Sequence, residues 1–242
     1  MNTNAYSGMN HETLFQNSIG DYPSIIESIR TKYNIQGHYN ESFKTGIHGE
    51  KSDVKIAFSC GYNIDVNIKS YKESVAFNQI TRTTLAKFCD MFSISPEDQK
   101  ELEFLITAKA GNVKTLLFPI EKQQKWKAFF EEKSKEILKW GFSYKPSREV
   151  LVLYDSSNYI FRIYSMIDVL SKLKRNVSFS RNGNVDIGDC VSFQRKGGNG
   201  SLSKNIQKTS IKHPGNNIQL KLKALKFVEL MDAAKIGQYE LS

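Results

Sequence analysis

Between Val54 and Tyr71 apolar and polar positions alternate almost without a break. Val54, Ile56 and Phe58, then Ile64, Val66 and Ile68, take every second place, the period of strands whose successive side chains face opposite ways. The polar residues around Gly61 predict a turn between two strands. Elsewhere the spacing lengthens. Ile25, Ile26, Ile29 and Tyr33 predict one helix or two within 11–33, and Leu85, Phe88 and Phe92 predict a helix over 79–94. Ser95-Pro96-Glu97-Asp98 is a restart signal, with a capping serine, proline at the first helical position and acids in the first turn. That helix is expected to fade near Gly111. A short apolar piece, 115–120, leads to a charged helix over 121–140 that stops at Gly141, with Trp126 and Trp140 marking its buried stripe.

The second half changes character. Residues 149–154 (EVLVLY) predict a buried strand, 160–173 (IFRIYSMIDVLSKL) a helix. NVSFS, NVDIG and CVSFQRKGG predict short strands between Asn and Gly turns. A flexible polar stretch is expected from Gly197 to about Lys204, and NIQLKLKAL predicts a late strand. No repeat and no linker interrupts the chain, so the expectation is one domain over 1–242, of α+β or mixed α/β class, with a mixed sheet flanked by helices.

Composition narrows the partners. Lys plus Arg number 34 against 25 acids, a formal charge of +9, which favours a polyanion, nucleic acid first and an anionic membrane surface second. Hydrophobic residues at 40% exclude a disordered chain. Cys60, Cys89 and Cys190 are scattered without a C-x-x-C pair, which argues against a zinc site or disulfide framework and suits a reducing compartment. His11, His38, His48 and His213 lack ligand spacing. The opening MNTNAYSGMN lacks the layout of a signal peptide, and no apolar run approaches the ~18 residues of a membrane span. A soluble, cytoplasmic protein is the expectation.

The hairpin carries the chemistry. For both apolar faces to be buried together, even-numbered residues must oppose even-numbered ones. A turn centred on Gly61 sets Phe58 against Ile64, Ile56 against Val66 and Val54 against Ile68. Asp53 then lies across from Lys69, with Asn67 one step along the same face, at cross-strand Cβ separations of about 4.5–5.5 Å. A carboxylate offers Mg²⁺ hard oxygen, a second oxygen completes the protein's share, and a lysine beside the metal orients water and balances charge on phosphate. Asn67 brings oxygen without charge. Asp65, on the same face, or an acid of the N-terminal helical region such as Glu27, are both candidates to restore it, and the sequence does not choose between them.

An acid, a second acid and a lysine on a bent hairpin form the signature of the PD-(D/E)xK nucleases. More of the chain follows one branch of them. Lys51-Ser52-Asp53, Asn67-Ile68-Lys69, Phe77-Asn78-Gln79-Ile80, Gly183-Asn184-Val185, Gly188 and Gln194-Arg195-Lys196-Gly197-Gly198 together resemble the HinP-type type II restriction endonucleases, which cut the palindrome GCGC. The likeness extends over most of 50–90 and 150–200 in the same order. At Asn67 the HinP-type pattern has glutamine, and there the chain is similar to the Msp-type enzymes that cut CCGG. The spacing from Asp53 to Asn67 is also shorter, which predicts a tighter turn.

The resemblance implies a restriction-endonuclease-like core and Mg²⁺-dependent cleavage of double-stranded DNA at a short palindrome. It implies Asp53 and Asn67 as metal ligands and Lys69 as the lysine beside the attacking water. A prokaryotic restriction–modification system with a cognate DNA methyltransferase follows from it, while monomer and homodimer both stay open. Arg and Lys favour guanine edges, Asn and Gln adenine, so Gln194, Arg195 and Lys196 of a DNA-reading region over about 176–205, and Asn78 and Gln79, are candidate base readers. Gly197 and Gly198 allow close approach of the backbone. Phe77 is a candidate wedge between base steps or a core phenylalanine. Two alternatives stand beside this reading: a non-catalytic nucleic-acid-binding protein on the same scaffold, and a structure-specific DNA repair nuclease.

Overall fold

A computed structural model describes residues 3–45, 52–72, 77–143, 145–198, 203 and 205–241. In chain order the elements are α1 (Thr3–Ser18), α2 (Pro23–Lys32), β1 (Tyr39–Lys44), β2 (Val54–Phe58), β3 (Asn63–Tyr71) and β4 (Phe77–Thr83). Three helices follow: α3 (Leu85–Met91), α4 (Pro96–Gly111) and α5 (Ile120–Phe142). Then come β5 (Glu149–Asp155), β6 (Ile160–Ser165), α6 (Met166–Lys172), β7 (Val177–Phe179), β8 (Val185–Ile187) and β9 (Val191–Arg195). The chain ends with β10 (Ile218–Lys223), α7 (Ala224–Met231) and β11 (Lys235–Glu240). The class is mixed α+β, a mixed sheet flanked by helices.

The chain gathers into two compact units. One comprises Met1–Asn78, Phe142–Leu173 and Ala224–Ser242, the other Gln79–Gly141 and Lys174–Lys223. In the first, six strands run in the order β1-β2-β3-β5-β6-β11. Among its described pairings only β3 and β5 run in parallel, with Asn67 opposite Leu151 and Lys69 opposite Leu153. A parallel pair needs a long crossover, and the chain between them supplies β4 and helices α3 to α5. One face of this sheet is apolar: Val54, Ile56, Val66, Ile68, Val150, Val152 and Ile163 pack with Phe15 of α1, with Ile19 of the turn that follows it, and with Ile25, Ile26 and Ile29 of α2. At about 1.5–3 kcal/mol for each fully buried aliphatic or aromatic side chain, this face holds the hairpin's orientation. The opposite face is left for Asp53, Asp65, Asn67 and Lys69.

The second unit is organised by five strands in the order β4-β10-β9-β8-β7. Phe193 of β9 meets Phe88 of α3, with ring centroids 5.1 Å apart, and Phe130 of α5 at 4.7 Å. The Ser95 signal acts as expected: its hydroxyl accepts the Asp98 N–H at 3.1 Å and α4 starts at Pro96. Trp126 is fully buried, whereas Trp140 is only half-buried, against Phe88 and Phe92. Gly141 does not stop α5, which runs to Phe142. Its bare Cα lets the helix approach β10, since a Cβ there would lie 2.8 Å from Leu220 Cδ1.

Two expected helices are partly strand. Residues 79–83 belong to β4, and α3 begins only after Thr84, whose hydroxyl accepts the Lys87 N–H at 3.3 Å. The β-branched residues Ile80, Thr81 and Thr83 fit a pleated ladder better than a helix. Residues 160–165 form β6, antiparallel to β5 from Asp155↔Ile160 to Val150↔Ser165, and α6 starts at Met166. The turn before β6 holds Tyr159 at φ +58°, so the strand's register is set by a backbone conformation that periodicity does not reveal. Strands β1 and β11 and helix α7 had no counterpart in the sequence reading.

Candidate active site

The hairpin closes one residue earlier than the alternation suggested. Gly61 sits at φ +78°, its N–H donates to the Phe58 carbonyl at 2.9 Å, and Phe58 N–H donates to Tyr62 O at 2.9 Å. This is a three-residue loop with glycine in the left-handed position, the common tight alternative to a longer loop. The register is therefore Val54↔Val66, Lys55↔Asp65 and Ile56↔Ile64, not Val54 against Ile68. The shift is two residues. An even shift leaves every side chain on its face, so Asp53, Asn67 and Lys69 still share one side.

Asp53 precedes β2 and is anchored from both ends. Its N–H donates to Val66 O at 2.8 Å, and its Oδ2 accepts the Ile68 N–H at 2.6 Å. Lys69 Nζ lies 3.7 Å from Asp53 Oδ2 and donates to Ile68 O at 3.0 Å. Asn67, two residues before Lys69 on β3, is 6% exposed. Its Oδ1 is enclosed and accepts no hydrogen bond among the described residues. Leaving such an oxygen unpaired costs about 1–3 kcal/mol, and it belongs to the strand whose Ile68 N–H anchors the Asp53 carboxylate. The donor set of one carboxylate and one amide oxygen suits a hard divalent ion that keeps most of its water. Among the described residues no group of three His, Cys, Asp or Glu side chains forms a metal cluster, so any ion here would be held by few protein charges.

A further acid belongs to this neighbourhood. Glu12 of α1 pairs with Lys44 of β1 at 3.9 Å. Its carboxyl is pushed above its ordinary range, first by burial and then by the negative charge of Asp53, with Lys44 and Lys69 pulling the other way. Glu12 therefore feels both charged members of the hairpin site. The sequence carried a signal for it: Glu12, Phe15 and Ile19 fall three and seven residues apart, so an acid occupies the stripe whose other members are fully buried. Of the two auxiliary acids suggested by the sequence, Asp65 pairs with Lys55 across the hairpin at 3.8 Å, one row from Asn67. Glu27 instead binds Arg30 through two hydrogen bonds of 2.8 Å on α2, and its partners are Arg30 and Thr31, not Asp53.

The other candidates are dispersed. Lys51 and the side chain of Phe77 lie outside the described residues. On β4, Asn78 is half-buried with an enclosed Nδ2 that finds no acceptor among the described residues, and Gln79 is exposed. Gln194 and Arg195 are neighbours on β9 and so face opposite sides of its sheet. Lys196, Gly197 and Gly198 follow the strand. Lys196 N–H donates to Asn217 O at 2.8 Å and Gly197 N–H to Gly215 O at 2.9 Å. Both glycines have φ above +70°, which a side chain would resist.

No family model and no curated protein sequence matches the chain. Among solved structures, that of the restriction endonuclease MspI in complex with its cognate DNA aligns with a TM-score of 0.43 and 15% identity, covering 75% of this chain and 69% of that one. No helix among the described residues is long and apolar enough to cross a membrane.

Proposed function

We propose that the chain is a Mg²⁺-dependent type II restriction endonuclease that hydrolyses phosphodiester bonds in double-stranded DNA at a short palindrome, GCGC being the site its sequence resemblance suggests. The observation that carries the reading is the Asp53–Lys69 contact of 3.7 Å beside the enclosed Oδ1 of Asn67, which has no hydrogen-bond partner among the described residues. A plain solvated sheet face would not hide an amide oxygen without a partner.

In this reading Asp53 and Asn67 supply the oxygens for Mg²⁺, and Glu12 supplies a second negative charge nearby. The ion, when bound, lowers the pKa of its water and offsets charge on the phosphate. Asp53 is kept in place by the Ile68 N–H, so its remaining lone pairs are directed without reorganisation. Lys69, leaning on Ile68 O, orients the attacking water and stabilises charge that develops on the phosphate. The net charge of +9 favours encounter with DNA. A cognate methyltransferase would protect the host's own sites.

Incubation with plasmid DNA and Mg²⁺ tests this. Discrete fragments with one end sequence are expected, and sequencing those ends gives the site and stagger. Retardation without cleavage would support a binding protein instead, and nicking only at mismatches or junctions a repair nuclease. A Lys69→Ala protein that cuts at full rate would remove Lys69 from the mechanism.

A further inference from the structure

In the second unit α4, which carries Lys109, packs against the turn Pro214–Asn216, which holds Arg195. Lys109 lies in the last turn of α4, and its Nζ donates to Val113 O at 2.7 Å and Thr115 O at 2.6 Å. Arg195 ends β9, and its Nε donates to Asn216 Oδ1 at 2.6 Å. Among the described residues neither forms an ion pair with a carboxylate. Their acceptors are neutral carbonyl and amide oxygens, which orient a cation without cancelling its charge. Burial depresses the pKa of both, and the charge of Arg195 depresses that of Lys109 further.

The arrangement is built. Asn216 is 1% exposed, and its Nδ2 donates to Lys208 O at 2.8 Å and Ser210 O at 2.7 Å. Both of its N–H donors are committed to folding residues 208–216, and its oxygen grips one edge of the guanidinium. Gly111 at the end of α4 packs against that segment, where a Cβ would lie 3.4 Å from Thr209 Cγ2. After these bonds Lys109 has one N–H left and Arg195 has four. Holding two like charges together, partly desolvated, is unfavourable unless an anion completes the set.

We propose that Lys109 and Arg195, with Asn216 fixing the guanidinium, form a binding site for one backbone phosphate of duplex DNA. Arg195 is then a clamp on the sugar–phosphate backbone and not a reader of bases. Its alternation away from Gln194 supports the separation: Arg195 shares a face with buried Phe193, while Gln194 turns to the other side. The identity of the anion rests on the nuclease reading; the paired, acid-free cations do not.

The test is metal-free binding of short duplexes of several unrelated sequences, followed over a range of salt concentrations. Lys109→Gln and Arg195→Gln are each expected to weaken every duplex equally and to lower the slope of log K against log salt by about one. Lys109→Arg is expected to restore the slope. Thermal unfolding of each variant separates lost charge from lost fold, since a helix-capping role for Lys109 would move Tm and leave the slope unchanged. An unchanged slope in Lys109→Gln, or weakening confined to one base position in Arg195→Gln, would overturn the assignment. A wild type that cuts plasmid while both glutamine variants keep its slope would reject the clamp alone. A wild type that binds no duplex would reject the nuclease reading and the clamp together.

Discussion

The Asp53 carboxylate accepts the backbone N–H of Ile68 at 2.6 Å, so the acid that precedes one strand is bonded to the strand that carries Asn67 and Lys69. The bond lies between the two candidate site residues of β3, Asn67 and Lys69, and it fixes the carboxylate relative to that strand. A carboxylate held by a backbone donor keeps its other oxygen available, which is what a metal ligand needs.

Removing the charge at that position should separate binding from cleavage. Asp53→Asn is expected to lower the cleavage rate by about two to three orders of magnitude while retaining metal-free affinity for duplex DNA. Plasmid cleavage and gel retardation on the same preparation measure the two.

Asn67 offers a test that pits stability against activity. Its Oδ1 is enclosed and unpaired among the described residues, so Asn67→Leu, of similar volume, removes a destabilising polar group. A gain of about 1 kcal/mol or less in unfolding free energy is expected, with loss of Mg²⁺-dependent cleavage. Denaturant titration reads the first and plasmid cleavage the second. A Leu variant that cuts normally would dismiss the amide as a ligand.

Glu12 couples the site to pH. Its carboxyl is raised, chiefly by burial and then by Asp53, so the folded state holds this proton more tightly than the unfolded chain. Stability of the metal-free protein should therefore fall as pH rises from the ordinary glutamate value through the raised one. Glu12→Gln should flatten that fall. It should also reduce the rise in Tm that Mg²⁺ produces at neutral pH, because a neighbouring negative charge is lost. Calorimetry with and without Mg²⁺ measures both.

Gly61 tests the register. It has φ +78° and open space around the position of a Cβ, so Gly61→Ala meets backbone strain and no clash. A loss of about 1–2 kcal/mol is expected, with reduced cleavage if the strained turn relaxes into a longer loop and displaces Asp53 from Ile68. Deletion of one residue in the turn would be worse, since a one-residue slip carries Asp53 to the opposite face.

Local pattern revealed much of this chain. The alternation from Val54 to Ile68 placed Asp53, Asn67 and Lys69 on one face, because side-chain direction in a strand depends only on parity. The Ser95-Pro96 start was equally legible, being the work of a single cap. What failed were segments whose apolar residues fit either period. Residues 160–165 became a strand because β5 was there to pair with them, and no window of sequence contains β5 and β6 together with their ladder. Glu12 escaped notice for a related reason: an acid on an apolar stripe reads as an imperfection until the fold brings Asp53 and Lys69 into its field.

By itself, then, the sequence determined the class, the shared face of Asp53, Asn67 and Lys69 and the net positive charge of the chain, all properties of spacing and composition that survive any arrangement of the elements. Tertiary structure alone decided the two-residue register, the bond from Ile68 to Asp53, the pairing of Glu12 with Lys44 and the grip of Asn216 on Arg195. Those depend on which distant segments share a wall, and that is settled by the burial of whole faces against one another.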